Sequence, residues 1–126
     1  MHPGKISNIF SLSSEERYGY LLRTIAECEE IWVIRDKGKL VTLGDKDALV
    51  SIPVWPEKEF AEFFLADDWK GYAVESVEIY DFLEWLDGLQ QDAIKIAGFP
   101  IPDVKCVVVQ AGEMKSHLLE ELQQYE

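Results

Sequence analysis

The sequence predicts an α+β fold, an antiparallel or mixed sheet of about six strands with about four covering helices. Three observations carry that expectation. Stretches with helical apolar spacing alternate with short β-branched runs, tight turns join the early strands, and longer helical connections join the later ones. The 126 residues fit a flexible arm over residues 1–12 followed by one domain over 13–126, and 48% hydrophobic content supplies its core.

Ser13 followed by Glu16 has the capping-box spacing, and Tyr18, Leu21, Leu22, Ile25 and Cys28 then recur on one helical face to about Glu29. Arg17, Arg23 and Glu27 are expected outside that stripe. Ile31 to Ile34 and Leu40 to Leu43 read as strands joined by a hairpin turn at Asp36-Lys37-Gly38, where Gly38 can take a positive φ. A second turn over Gly44 to Asp47 leads into a strand from Ala48 to Val54, with Pro53 expected to end regular pairing. Pro56 suits the approach to a helix over Glu57 to Ala66, whose Phe60, Phe63 and Phe64 form an apolar face. Asp67, Asp68 and Gly71 break that pattern, Tyr72 to Ile79 alternates as a strand, and Asp81 is the expected cap of a helix carrying Phe82, Leu83, Trp85, Leu86 and Leu89. Trp85, at the flank of that stripe, is expected over a sheet edge. Ala93 to Phe99 forms a strand before Pro100, and a turn at Pro102-Asp103 leads to Cys106-Val107-Val108-Val109. The apolar continuity of this last run predicts an interior strand. Gly112 precedes a final helix bearing Met114, Leu118, Leu119, Leu122 and Tyr125.

Charge narrows the function classes. With 24 acidic against 12 basic residues the net charge is -12, which opposes nucleic acid binding and favours solubility and association with basic partners. No apolar run is long enough for a membrane span and none resembles a signal peptide, so a cytoplasmic location is expected without membrane partners. Cys28 and Cys106 lie far apart beside apolar residues and are expected as reduced core thiols.

Chemical motifs are sparse. His2 and His117 are the only histidines, and Glu113, His117 and Glu121 share a helical spacing that matches no zinc signature. Glu59/Glu62 and Asp81/Glu84 are spaced as exposed helical carboxylates, and Asp45 with Asp47 lacks the calcium-loop pattern because Val50 and Pro56 stand where glycine and glutamate are required. Phosphate loops, dinucleotide turns and nucleophile elbows are absent from the sequence. No catalytic residue, cofactor or metal is therefore assigned. Trp32, Trp55, Trp69 and Trp85 sit at turns and element edges, and indole suits both cores and wet interfaces. Pro53, Trp55, Pro56 and Trp69 are the candidate interaction surface.

Several of these residues also form a pattern: Arg17-Tyr18 with Tyr20 and Leu22, Trp32, Pro53-Val54-Trp55-Pro56 leading to Phe60-Ala61, Phe82 with Leu83, and Phe99-Pro100. In them the chain resembles an uncharacterised bacterial family, domain of unknown function 2750, from about Arg17 to the final helix. The resemblance implies a small bacterial α+β domain and carries no activity or catalytic residues. It also implies, in many relatives, a histidine after the Trp-Pro step, where this chain has Glu57. The reading that follows is a non-enzymatic cytoplasmic protein-interaction domain. The alternatives are an immunity or antitoxin-like protein blocking a basic toxin, and a carboxylate-based metal-assisted hydrolase. Homo-oligomerisation through an open sheet edge is a further partner expectation.

Overall fold

A computed structural model describes residues 8–44, 50–65, 72–101 and 106–124. His2, the Asp45–Asp47 turn, the first residues of the Ala48 to Val54 run, the Ala66 to Gly71 stretch with Trp69, the Pro102-Asp103 turn and Tyr125 lie outside the described residues. The described elements are α1 (Ser14–Cys28), β1 (Glu30–Asp36), β2 (Lys39–Leu40), β3 (Leu43–Gly44), β4 (Val50–Val54), α2 (Lys58–Leu65), β5 (Tyr72–Glu78), α3 (Ile79–Gln91), β6 (Lys95–Gly98), β7 (Val107–Gln110) and α4 (Ala111–Gln123). The α+β class holds, with the strands divided between an antiparallel sheet in the order β2-β1-β5 and a mixed sheet in the order β3-β4-β6-β7.

Local chemistry sets the first elements. Ser13 caps α1 by accepting from the Glu16 amide while the Glu16 carboxylate accepts from the Ser13 amide, so two amides that the helix cannot pair are satisfied. These bonds hold the Glu16 carboxyl below its usual range. Glu29 ends the helix in the left-handed region at φ 59, and its carbonyl accepts from the Ile79 amide, which ties the end of α1 to the start of α3. Lys37 and Gly38 take φ of 53 and 85, the paired positive values that a two-residue hairpin turn requires.

Residues 8–12, expected within the arm, are instead attached to the fold. Residues 8–10 form a helical turn, Ile9 is buried in the core, and Phe10 meets the ring of Phe63 edge-on at 5.0 Å. Arg17 departs from expectation more sharply, being 1% exposed on the inner face of α1, with its Nη1 donating to the Leu12 carbonyl at 3.0 Å. The long aliphatic stem packs inside while the head finds a backbone acceptor, a combination that residue-type periodicity does not register.

The two sheets meet at tryptophan. Trp32 in β1 and Trp55, just after β4, exchange backbone hydrogen bonds of 2.9 Å in both directions, an antiparallel bridge outside the named ladders. Leu40 to Leu43 is accordingly not one strand: β2 pairs with β1, whereas β3 pairs with β4. Pro53 does not end pairing either, because it lies opposite Ala97 in the parallel β4–β6 ladder. Backbone groups of residues 51, 53 and 55 face the same edge of β4, where Leu43 pairs at Ser51 and Trp32 pairs at Trp55. Proline thus occupies the gap between these two partners, where the strand loses no ladder donor.

Four further expectations are corrected. α3 begins at Ile79 with Glu78 as its N-cap, so Asp81 lies within the first turn, and α4 begins at Ala111 with Gly112 inside it. Among the described residues β7 is an edge strand, and it alternates between half-buried and exposed, with Val108 51% exposed. Its apolar run reflects β-branched propensity on a half-covered strand. Phe63 is exposed at 41%, while Phe60 is buried and Phe64 packs at the core margin. Trp85 packs against Phe82 and beneath Arg35 of β1, whose guanidinium carbon lies 5.7 Å from the indole centroid.

Packing between α1 and β6 depends on one small residue. A Cβ at Gly98 would lie 2.7 Å from Tyr18 Cδ1 and 3.3 Å from Leu21 Cδ2. Gly98→Ala is therefore expected to lower stability by about 1–3 kcal/mol through overpacking, measured as a lower urea midpoint at unchanged slope. An unchanged midpoint would show that Tyr18 can move aside without cost.

Candidate functional site

The residues of the tryptophan joint are positioned by distant parts of the chain. Trp55 is fully buried, its indole Nε1 donates to the Pro100 carbonyl at 2.8 Å, and its ring lies 5.2 Å from Phe64. Phe99 continues β6 by donating its amide to the Val54 carbonyl at 2.9 Å, with Phe60 4.9 Å and Tyr20 6.1 Å from its ring. Pro53 and Pro56 are buried beside Trp55. The expectation that Pro53, Trp55 and Pro56 present a contact surface is thus corrected: Pro53 and Trp55 belong to the interior, because β4 is covered on both faces where the sheets join, and Pro56 is buried at the edge of a cleft. Trp69 lies outside the described residues.

A cleft opens at the rim of this joint. Its volume is about 330 Å³, and it is lined by Cys28 at the end of α1, Glu30 and Trp32 of β1, and Pro56, Glu57, Lys58 and Glu59 at the start of α2. Three carboxylates, one ammonium and one indole therefore share a small concave surface. The Tyr20 hydroxyl donates to Glu57 Oε1, fixing one carboxylate from the α1 side. Trp32 is half-buried, whereas Lys58 and Glu59 are exposed. This arrangement suits a cationic group, which would gain carboxylate partners and an aromatic wall. Trp32 and Glu57 stand out in the sequence as single residues, but nothing local brings Glu30 and Glu59 to the same cleft, because their meeting depends on the Trp32–Trp55 bridge.

The other ionisable candidates separate. His117 Nδ1 lies 2.8 Å from the Tyr18 hydroxyl, with the two rings edge-on at 5.7 Å, so the imidazole is engaged between α4 and α1. Among the described residues, no group of three or more His, Cys, Asp or Glu side chains is placed to hold a metal ion. Glu59, Glu62, Asp81 and Glu84 are exposed on their helices. Cys28 is exposed and Cys106 half-buried, and neither is in a disulfide, which corrects the expectation of two core thiols. Burial pushes the Cys106 thiol up despite the opposing charge of Arg17.

Several of the residues that carried the sequence likeness meet around this joint: Tyr18 against Gly98, Tyr20 against Phe99, Trp32 against Trp55, Phe60 against Phe99, and the Pro100 carbonyl accepting from the Trp55 indole. A family model described as a protein of unknown function, DUF2750, matches residues 18–118. The chain belongs to the DUF2750 family. No curated protein and no solved structure matches it. In this DUF2750 chain the position after the Trp-Pro step is Glu57, engaged by Tyr20. Among the described residues no helix is long and apolar enough to cross a membrane.

Tyr18 gives the joint a pH signature. Burial, reinforced by the negative charge of Glu113, pushes its hydroxyl far above the ordinary tyrosine range. The folded chain thus keeps this proton to a higher pH than the unfolded chain does. The stabilisation is complete below about pH 10, the ordinary tyrosine value, and is lost as pH rises from there toward the folded value. Thermal midpoints measured between about pH 8 and pH 11 are expected to fall more steeply for the wild type than for Tyr18→Phe. Parallel curves would contradict this assignment.

Proposed function

We propose that this DUF2750 domain is a non-enzymatic, cytoplasmic protein-interaction module that receives a basic segment of a partner protein in the Trp32 cleft. The observation that carries the reading is the convergence of Glu30, Glu57 and Glu59 with the Trp32 indole around one concavity. The net charge of -12 supports it, since a negative protein attracts a basic partner over distances near the Debye length and accelerates encounter. The cleft then supplies what long-range charge lacks, a shape and an aromatic wall that orient the incoming cation. Lys58 at its margin repels any further cation placed beside it, and so selects against segments whose positive charge continues past the carboxylates.

An immunity or antitoxin-like role is a special case of the same reading, in which the basic segment belongs to a toxin. The hydrolase reading draws no support from the described residues, whose carboxylates do not gather with His117 into a ligand set.

A lysine- and arginine-rich peptide titrated into the isotopically labelled protein tests the cleft. Shifts are expected at the Trp32 indole and at Lys58 and Glu59, with affinity falling as salt rises. Glu30→Gln combined with Glu59→Gln is expected to weaken binding about threefold to tenfold, while Tyr20 and Glu57 remain to hold the fold. Shifts confined to another surface, or an affinity unchanged by the double substitution, would reject the cleft as the site.

A further inference from the structure

The outer edge of β7 carries a pattern of backbone groups that points to a specific occupant. The Phe99 amide donates to Val54, so the backbone groups of Ala97 and Lys95 also face β4, while those of Ile96 and Gly98 face β7. Ile96 lies opposite Val109 and Gly98 opposite Val107, which directs the backbone groups of Val107 and Val109 toward β6. The N–H and C=O of Val108, the N–H of Gln110 and the C=O of Cys106 therefore face away from the sheet. Among the described residues, no strand pairs with β7 on that side.

This set is self-complementary about a twofold axis at Val108. We propose that a second copy of the chain adds antiparallel to this edge, β7 against β7, with Val108 opposite Val108 of the second copy. In that register each Val108 exchanges both of its backbone hydrogen bonds with its counterpart, and each Gln110 amide donates to the Cys106 carbonyl of the other copy. Every outward-facing group named above is then paired. A slip by one residue would instead set these donors and acceptors against groups turned toward β6.

The self-complementary edge selects a second copy as the occupant, and local charge permits it. Two molecules of net charge -12 repel, yet the run from Cys106 to Gly112 contains no charged residue. The charged side chain in the adjoining ladder is Lys95, opposite Gln110, so the two copies meet where neither brings a carboxylate in the paired strands. The edge also lacks the devices that ordinarily keep strands apart, since neither proline nor an inward charge interrupts Val107–Gln110. Val108, 51% exposed in the single chain, would pack against its own copy across the axis. The two mixed sheets would become one continuous sheet, an isologous arrangement that closes and cannot propagate into a fibre.

Light scattering of the intact protein across a concentration series is the first measurement. Twice the 14.5 kDa chain mass is expected at high concentration, and Val108→Lys, which places two like charges at the axis, is expected to return the protein to the mass of one chain. A single-chain mass at every concentration, or a dimer that persists in folded Val108→Lys, would overturn the proposal. A second variant tests the register independently of that fold. Directly opposed residues in such a pair lie about 5.5 Å apart at Cα, within the range a disulfide spans. Gln110→Cys in a Cys28→Ser background is therefore expected to form a covalent dimer through Cys106 of the other copy on mild oxidation. Residues 106 and 110 of one strand lie roughly 13 Å apart along it, too far to join within a chain. Failure to cross-link would reject this register.

Discussion

The reciprocal backbone bridge between Trp32 and Trp55 is the constraint on which the rest of the structure depends. It joins an antiparallel sheet to a mixed one at a single point, and one pair of hydrogen bonds contributes only about 1–3 kcal/mol. Burial around the bridge makes that point secure. The Trp55 indole fills the space behind it, anchors the chain after β6 through Pro100, and leaves no polar atom of its own unpaired. Pro53 next to it is tolerated because the bridge and β3 leave a gap at that position on the same strand edge.

This joint explains why the family likeness and the proposed binding chemistry share Trp32 but otherwise occupy different shells of the molecule. Tyr18, Tyr20, Trp32, Trp55, Phe60 and Phe99 are drawn inward by aromatic packing, whereas Glu30, Lys58 and Glu59 are carried at the rim by the strand and helix that the joint brings together. The shared pattern thus reports how the fold is closed, and the proposed recognition would draw mainly on rim side chains whose positions the fold determines.

What was legible in the sequence followed the range of the interactions. The Ser13–Glu16 capping box and the Lys37-Gly38 turn involve neighbours, and both appear where local chemistry places them. The α+β class was legible because periodicity changes within each element. Strand neighbours were not: β7 reads as interior because valine suits any strand, although its outer edge has no described partner. Arg17 reads as solvated because charge is an average property of a residue type, and its burial depends on the Leu12 carbonyl meeting it from outside the helix. Trp55 reads as core or interface, with core packing the more frequent role of an indole, and only the arrival of Trp32 and Pro100 decides between them.

Phe99 carries this dependence into the backbone itself. Its φ of 61 lies in the left-handed region, which costs a residue with a side chain roughly 1–2 kcal/mol. The conformation is held by the hydrogen bond from its amide to the Val54 carbonyl, by ring contacts to Phe60 and Tyr20, and by the Trp55 indole N–H donating to the following carbonyl. These partners come from α1, β4 and α2, well separated along the chain. The native dihedral at Phe99 is thus a collective property rather than a local preference: release of any one of those segments gives the residue a reason to return to ordinary backbone and withdraws Pro100 from the others. At this position cooperativity is a single torsion angle that several remote segments must agree to maintain.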